Sequence, residues 1–178
     1  MSQRVEYLLS RVATTIGEAK RDEYARSLLN PEDATRSIPE GKAMKAILED
    51  VVATYGEDTA REILRPCGHR CIGESVIQKA KDIHQATHSL PEFLDAMNAQ
   101  HIGGGQLHLE GDAIVVIYDH CYCGTAKNTK NMPPIYCECS AGWCERLFSE
   151  VIGKPVRVTI RSTVLRQDPH CAFEVTAY

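Results

Sequence analysis

The sequence predicts an α+β fold in which N-terminal helices pack with a four-stranded, mostly antiparallel sheet. Apolar residues recur at helical spacing through the first hundred residues, whereas they alternate with polar residues in four later segments. One further helical stripe separates the second of these segments from the third. The order strand, strand, helix, strand, strand predicts a ββαββ C-terminal half with helices on one face of the sheet.

Five helices are predicted in the first hundred residues. They lie near residues 5–16, 44–55, 57–64, 76–83 and 90–100. Gly56 is suited to end the second helix, and Ser89 is suited to cap the fifth. The proline-containing segment 30–41 predicts a loop between the first two helices.

Four strands are predicted in the C-terminal half. They lie near residues 106–110, 113–118, 155–163 and 171–178. Gly111 falls between the first two strands, which predicts a hairpin. The intervening helix carries the apolar stripe from Trp143 to Ile152, with Ser140 as a suitable cap and Gly153 as a suitable stop. We expect one domain, residues 41–178, preceded by a helical extension at residues 1–40.

Composition excludes several classes of partner. The chain has 20 Lys and Arg against 24 Asp and Glu, and no basic stripe, so nucleic acid is not an expected partner. The longest apolar run, Ala113 to Tyr118, is too short to cross a membrane, and the stretch MSQRVEYLLS has no apolar run long enough for a signal peptide. We therefore expect a cytoplasmic protein. The amphipathic first helix is suited to packing on its own domain or on a second copy, which leaves a homodimer open.

Eight cysteines in a cytoplasmic chain indicate metal or redox chemistry before disulfides. Cys67 and Cys71 are four residues apart, so both thiols would lie on one face of a helix. Cys121 and Cys123 would share one face of an extended segment. For each pair the alternative is two small core residues.

The third pair, Cys137 and Cys139, directly precedes the helix predicted at Ser140. The positive end of a helix dipole favours the thiolate, which is the form that binds metal. Cys144 falls on the apolar stripe and is a predicted core residue. Cys171 shares a strand face with apolar residues, so the spacing alone also favours the core for it.

A thiolate-rich set selects zinc or a 4Fe–4S cluster over harder ions, and the spacing leaves these two open. The candidate metal ligands are Cys67, Cys71, Cys121, Cys123, Cys137, Cys139 and Cys171. A thiol enzyme is the rival interpretation, with Cys137 or Cys139 as the thiolate and His69 or His120 as the base.

The segment from Ile135 to Val175 resembles the C-terminal half of the vinyl-4-reductase (V4R) domain superfamily. The resemblance rests on Gly142-Trp143, on Gly153-Lys154-Pro155 and on Cys171, whereas Gln167-Asp168 replaces the family's Gly-Asp turn. The motifs CGHRC, CYC and YCECSAGW also resemble a bacterial group labelled L-2-amino-thiazoline-4-carboxylic acid hydrolase-like.

The resemblance implies a helix-covered antiparallel sheet that holds a small hydrophobic or aromatic molecule. In some phenol-sensing relatives a zinc lies beside the pocket. Two of the zinc ligands match Cys137 and Cys171, but the other two fall on Ile160 and Thr163. The resemblance therefore implies a small-molecule-binding, sensor-like domain with a rebuilt cysteine-rich metal site, and a hydrolase acting on a small cyclic substrate is the alternative. A domain whose thiols are mostly buried is the third hypothesis.

Overall fold

The computed structural model describes residues 1–30, 33–37 and 39–177. Its helices are α1 (Gln3–Thr15), α2 (Glu18–Ser27), α3 (Glu40–Cys71), α4 (Glu74–Ala86), α5 (Leu90–Ala99), α6 (Gly124–Lys127) and α7 (Glu138–Ile152). Its strands are β1 (Leu29–Asn30), β2 (Asp33–Ser37), β3 (Leu107–Glu110), β4 (Ala113–Tyr118), β5 (Val156–Ser162) and β6 (Cys171–Ala177). Short 3-10 turns lie at Ile102–Gly105, Pro134–Cys137 and Val164–Arg166.

The predicted α+β architecture and its ββαββ half are confirmed. Strands β3 to β6 form one sheet in the order β3-β4-β6-β5, and each neighbouring pair is antiparallel. Val116 pairs with Phe173, and Val158 pairs with Val175, so the apolar members of the alternating strands share one face. Helices α4, α5 and α7 cover that face and form the larger hydrophobic cluster with it.

Most of the predicted helix ends are confirmed. Ser89 caps α5 by accepting a backbone hydrogen bond, and Gly153 ends α7 in the left-handed conformation at φ 74°. Gly56 interrupts α3 at φ 85° and ψ 169°, so α3 consists of two helical sections that meet at the predicted stop. The prediction for Ser140 is wrong, because α7 already begins at Glu138.

The sequence patterns did not predict two of the observed elements. Helix α2 has no apolar stripe, and Tyr24 is its buried residue. The segment 30–41, predicted as a loop, contains most of the ribbon formed by β1 and β2. Pro31, Glu32 and Ile38 lie outside the described residues.

A second hydrophobic cluster joins α1 to α3. Val5, Leu8 and Val12 on α1 pack with Ile47 and Leu48 of α3 in this cluster. Helix α1 therefore buries its apolar face against its own chain. None of the described helices combines the length and the apolar character that a membrane crossing requires.

Candidate functional site

Helices α3 and α7 cross at very short range. A Cβ atom added to Gly68 would lie 1.9 Å from the backbone oxygen of Cys139, and one added to Gly142 would lie 2.1 Å from that of Arg65. Only a residue without a side chain permits such an approach. The crossing therefore holds the end of α3, where Cys71 lies, beside the first turn of α7.

Glu138, the first residue of α7, ties this helix to α3. Its carboxylate accepts hydrogen bonds from Nε of Arg61 at 3.1 Å and from Nε of Arg65 at 3.0 Å. Glu138 is 6% exposed, and a carboxylate so far from water requires such partners. Arg65 also donates to the carbonyl of Val158 at 2.8 Å, so one side chain links both helices to β5.

A cavity of ≈ 240 Å³, here called the thiol cavity, lies between α1, the end of α3 and the start of α7. Its walls include four thiols, the cavity cysteines Cys67, Cys71, Cys123 and Cys139. The other lining residues are Gln3, Arg4, Tyr7, Met44, Arg70 and Tyr136. The fold thus gathers thiols from three separate segments of the sequence around one space.

A larger cavity of ≈ 500 Å³, here called the aromatic cavity, adjoins the thiol cavity. The two cavities share Arg4, Cys71, Cys123, Tyr136 and Cys139. The aromatic cavity is further lined by His101, Gly103, Gly104, Tyr118, Tyr122, Gly124, Ser140 and Trp143. The walls of the aromatic cavity therefore carry both aromatic rings and thiols.

The rings of the aromatic cavity are held by the sheet. Tyr118, at the end of β4, packs on Phe173 with centroids 5.5 Å apart and on Tyr122 with centroids 5.4 Å apart. Burial raises the pKa of Tyr118 well above its ordinary value, so its hydroxyl stays neutral. Tyr122 is 53% exposed and forms the rim between the cavity and solvent.

Burial keeps the deeper cavity thiols protonated at neutral pH. It raises the pKa of Cys67 to about 12, against the opposing charges of Arg11 and Arg70. It also raises the pKa of Cys139, the other three cavity cysteines raise it further, and Arg4 opposes the rise. The predicted lowering by the helix dipole is therefore wrong for Cys139, because desolvation outweighs the dipole.

Cys137, Cys171 and Thr163 form a second sulfur group, here called the Thr163 cluster. Thr163 Oγ1 lies 2.8 Å from Cys137 Sγ and 3.7 Å from Cys171 Sγ, and the N–H of Val164 donates to Cys171 Sγ at 3.4 Å. A hydrogen bond from Cys137 lowers the pKa of Cys171 to about 6. The pKa of Cys137 is raised instead, because Cys137 holds the shared proton. The dipole prediction is therefore wrong for Cys137 as well.

The structure divides the candidate metal ligands between two places. Cys123 and Cys139 line the thiol cavity, whereas Cys137 belongs to the Thr163 cluster and Cys121 lies near enough to influence it. The chain leaves β4 at Tyr118, so the two thiols of CYC do not share a strand face. Within residues 1–30, 33–37 and 39–177, no three Cys, His, Asp or Glu side chains are grouped so that they could hold a metal ion.

The zinc position implied by the resemblance is assembled only in part. Cys137 and Cys171 do meet, and the Thr163 hydroxyl lies between them. Two thiols and a neutral hydroxyl do not provide the four ligands of a structural zinc. Ile160, at the fourth matching position, is apolar and pairs with Phe173 in the sheet.

The candidate general bases lie apart from the candidate thiols. His69 Nε2 pairs with Glu145 at 3.1 Å. His120 Nδ1 pairs with Asp119 at 2.6 Å, and both of these side chains are more than half exposed. Neither imidazole bonds to a candidate thiol in the described part of the chain.

Helix α1 forms one wall of the thiol cavity, which the sequence pattern did not predict. Arg4 and Tyr7 line the thiol cavity, and the guanidinium of Arg70 lies 4.6 Å from the ring centroid of Tyr7. Arg4 also donates to Thr125 Oγ1 at 2.7 Å, which ties α1 to α6. Arg4, Tyr7 and Arg11 are three and four residues apart, so they share one face of α1 beside its apolar stripe. This spacing could have indicated a polar wall on α1.

A family model matches residues 10–178 of the chain. The chain belongs to DUF6144, a family of unknown function. No curated protein matches this DUF6144 member. Its fold is shared with a mutant H-NOX domain from Shewanella oneidensis in the Fe(II)CO ligation state, at 12% identity and a TM-score of 0.51, over 99% of this chain and 98% of that one. It is also similar to the phenol-responsive sensory domain of the transcription activator PoxR with phenol, at 15% identity and a TM-score of 0.46, over 90% of this chain and 91% of that one.

Proposed function

We propose that this DUF6144 chain is a small-molecule-binding, sensor-type domain of the V4R kind, with a soft metal or iron–sulfur group beside its ligand cavity. The observation that carries the proposal is the pair of adjoining cavities, one lined by aromatic rings and one by four thiols.

The aromatic cavity fits a small, partly apolar ligand. Its volume of ≈ 500 Å³ lies within the usual range for small-molecule sites, about 300–1,000 Å³. Tyr118 and Trp143 offer ring faces and edges for stacking. Ser140 and the Arg4 guanidinium are the polar groups that would orient a hydroxyl or carboxylate substituent.

The adjoining thiols support the metal half of the proposal. Deprotonated cysteines are ligands for zinc or for iron–sulfur clusters, and four of them surround one space. A bound cation would replace the thiol protons that burial otherwise retains on Cys67 and Cys139. Loading would therefore release protons and become stronger as pH rises.

The ligand test uses the single tryptophan of the chain, Trp143, which lines the aromatic cavity. We expect phenol to change its fluorescence saturably, with excitation at the red edge of the spectrum, where phenol does not absorb. Tyr122→Ala opens the rim and should weaken phenol binding several-fold. Tyr55→Ala is the matched control, because Tyr55 is a similarly exposed tyrosine on α3 outside both cavities.

Two results would contradict a ligand site in the aromatic cavity. The first is a fluorescence change that grows linearly with phenol and never saturates. The second is equal weakening of phenol binding by Tyr122→Ala and by Tyr55→Ala, since only the first of these residues contacts the cavity.

A further inference from the structure

We infer that the four cavity cysteines, Cys67, Cys71, Cys123 and Cys139, are the ligands of a four-iron, four-sulfide cluster. This inference rests on the proposed function and goes beyond it, because it names both the group and its ligands. Four thiols line this one cavity, the volume between them exceeds that of a single ion, and two arginines lie on its walls.

The number of thiols around one cavity favours a cluster over a single ion. Zinc lies about 2.3 Å from each thiolate sulfur, which draws tetrahedral ligands to within about 4 Å of one another. Four thiols line one cavity of ≈ 240 Å³, which offers one sulfur for each iron of a cubane. A cubane places its irons at separate corners, so its cysteine sulfurs lie farther apart than those around one ion.

The four thiols come from three different parts of the backbone. Cys67 and Cys71 are one helical turn apart, so their Cβ atoms are separated by about 5–6 Å. Cys139 faces them from the first turn of α7, and Cys123 lies at the N-cap of α6 on another side of the space. The volume between them, ≈ 240 Å³, is far more than one ion occupies and leaves room for the irons and sulfides.

Positive charge surrounds the same space. Arg4 and Arg70 line the thiol cavity. A cluster with four thiolates carries a net negative charge, which these guanidinium groups would offset. Hydrogen bonds and charges around the sulfurs are also the means by which proteins adjust a cluster's reduction potential.

The other thiols lack such a space. Cys137 and Cys171 are buried against the Thr163 hydroxyl, and Cys144 is fully buried among apolar residues of α7 and the sheet. None of these three lines the thiol cavity, and neither does Cys121. Cluster assembly from two ferrous ions, two ferric ions and four sulfides would release one proton from each cavity cysteine and requires no change in the oxidation state of the protein.

The test is anaerobic reconstitution of the full chain with ferrous iron, ferric iron and sulfide, followed by desalting. We expect a brown protein with about four irons and four sulfides per chain, and a reduced form visible by electron paramagnetic resonance. Cys71→Ser and Cys123→Ser should each remove more than half of the bound iron. Cys121→Ser is the matched control and should retain it, although it is only two residues from Cys123.

Circular dichroism identifies any variant that fails to fold. If one of the two ligand variants does not fold, the other still tests the inference. The inference is overturned by a chain that takes up no iron and sulfide, by iron lost on desalting, or by Cys71→Ser and Cys123→Ser that retain the full cluster. Phenol binding reported by Trp143 without any cluster would overturn this inference alone. A cluster in a protein that does not bind phenol would instead count against the proposed ligand site.

Discussion

Replacing Gly142 by alanine tests whether the close crossing of α3 and α7 supports the fold. The added Cβ would lie 2.1 Å from the backbone oxygen of Arg65 and within 2.9 Å of two further backbone atoms of that residue. Backbone cannot rotate away as a side chain can, so the two helices would have to move apart. Such overpacking costs about 3 kcal/mol, whereas alanine gains about 1 kcal/mol of helix propensity over glycine.

We therefore expect a net loss of about 2 kcal/mol, which lowers Tm by about 4–8 °C for a domain of this size. Thermal unfolding followed by circular dichroism measures it. Gly124→Ala is the control, because Gly124 also lies in a helix but has nothing within 4 Å of an added Cβ. A Gly142→Ala protein as stable as the parent would refute the claim that this crossing is tight.

Three further predictions concern buried charge, pH and the second sulfur group. Glu138→Gln should lower the free energy of unfolding in urea by about 3 kcal/mol, because two arginines lose their shared carboxylate. Glu150→Gln is the control, because Glu150 pairs with Lys81 at 2.7 Å on the exposed surface and should cost no more than about 0.5 kcal/mol. Equal losses in the two variants would contradict the prediction. A hydrogen bond with the His69 imidazole lowers the pKa of Glu145 below its ordinary value. The carboxylate therefore contributes stability above that ordinary pKa, and this contribution is lost as pH falls through the lowered pKa. Urea midpoints between about pH 6 and pH 3 measure this loss, and Glu145→Gln should flatten the profile. Cys137→Ala should raise the titration midpoint of the Cys171 thiolate above about 6, as followed by ultraviolet difference absorption against Cys171→Ala; an unchanged midpoint would show that the hydrogen bond is not its cause.

The fold was largely predictable because its periodicities are strong and local. Alternation in β3 to β6 and the apolar stripe of α7 identified the ββαββ half without knowledge of any contact. The start of α7 was misplaced by two residues, at Ser140 in place of Glu138, for a physical reason. The helix begins where Arg61 and Arg65 of α3 bind the Glu138 carboxylate, and a contact more than seventy residues away leaves no local pattern.

The cysteines of the candidate site could be identified from the sequence, but their arrangement could not. The spacing identified the cysteine pairs, but it could not show that Cys123 and Cys139 lie in one cavity while their partners lie elsewhere. Burial also reversed the expected ionisation of Cys139, since desolvation depends on the packed structure. Arg4 was missed because α1 is distant from the cysteines in sequence and adjacent to them only in the fold.

The short segment from Cys137 to Cys139 has a mechanical consequence. Arg61 and Arg65 hold its middle residue, Glu138. Cys139 lies in the thiol cavity, whereas Cys137 contacts the hydroxyl of Thr163. Successive Cα atoms are 3.8 Å apart, so the segment has no slack to absorb a displacement at one end. A ligand or metal that displaced the sulfur of Cys139 would rotate the segment about Glu138 and disturb the hydrogen bond between Cys137 and Cys171. Occupancy between the helices would thereby be relayed to β6 in the centre of the sheet.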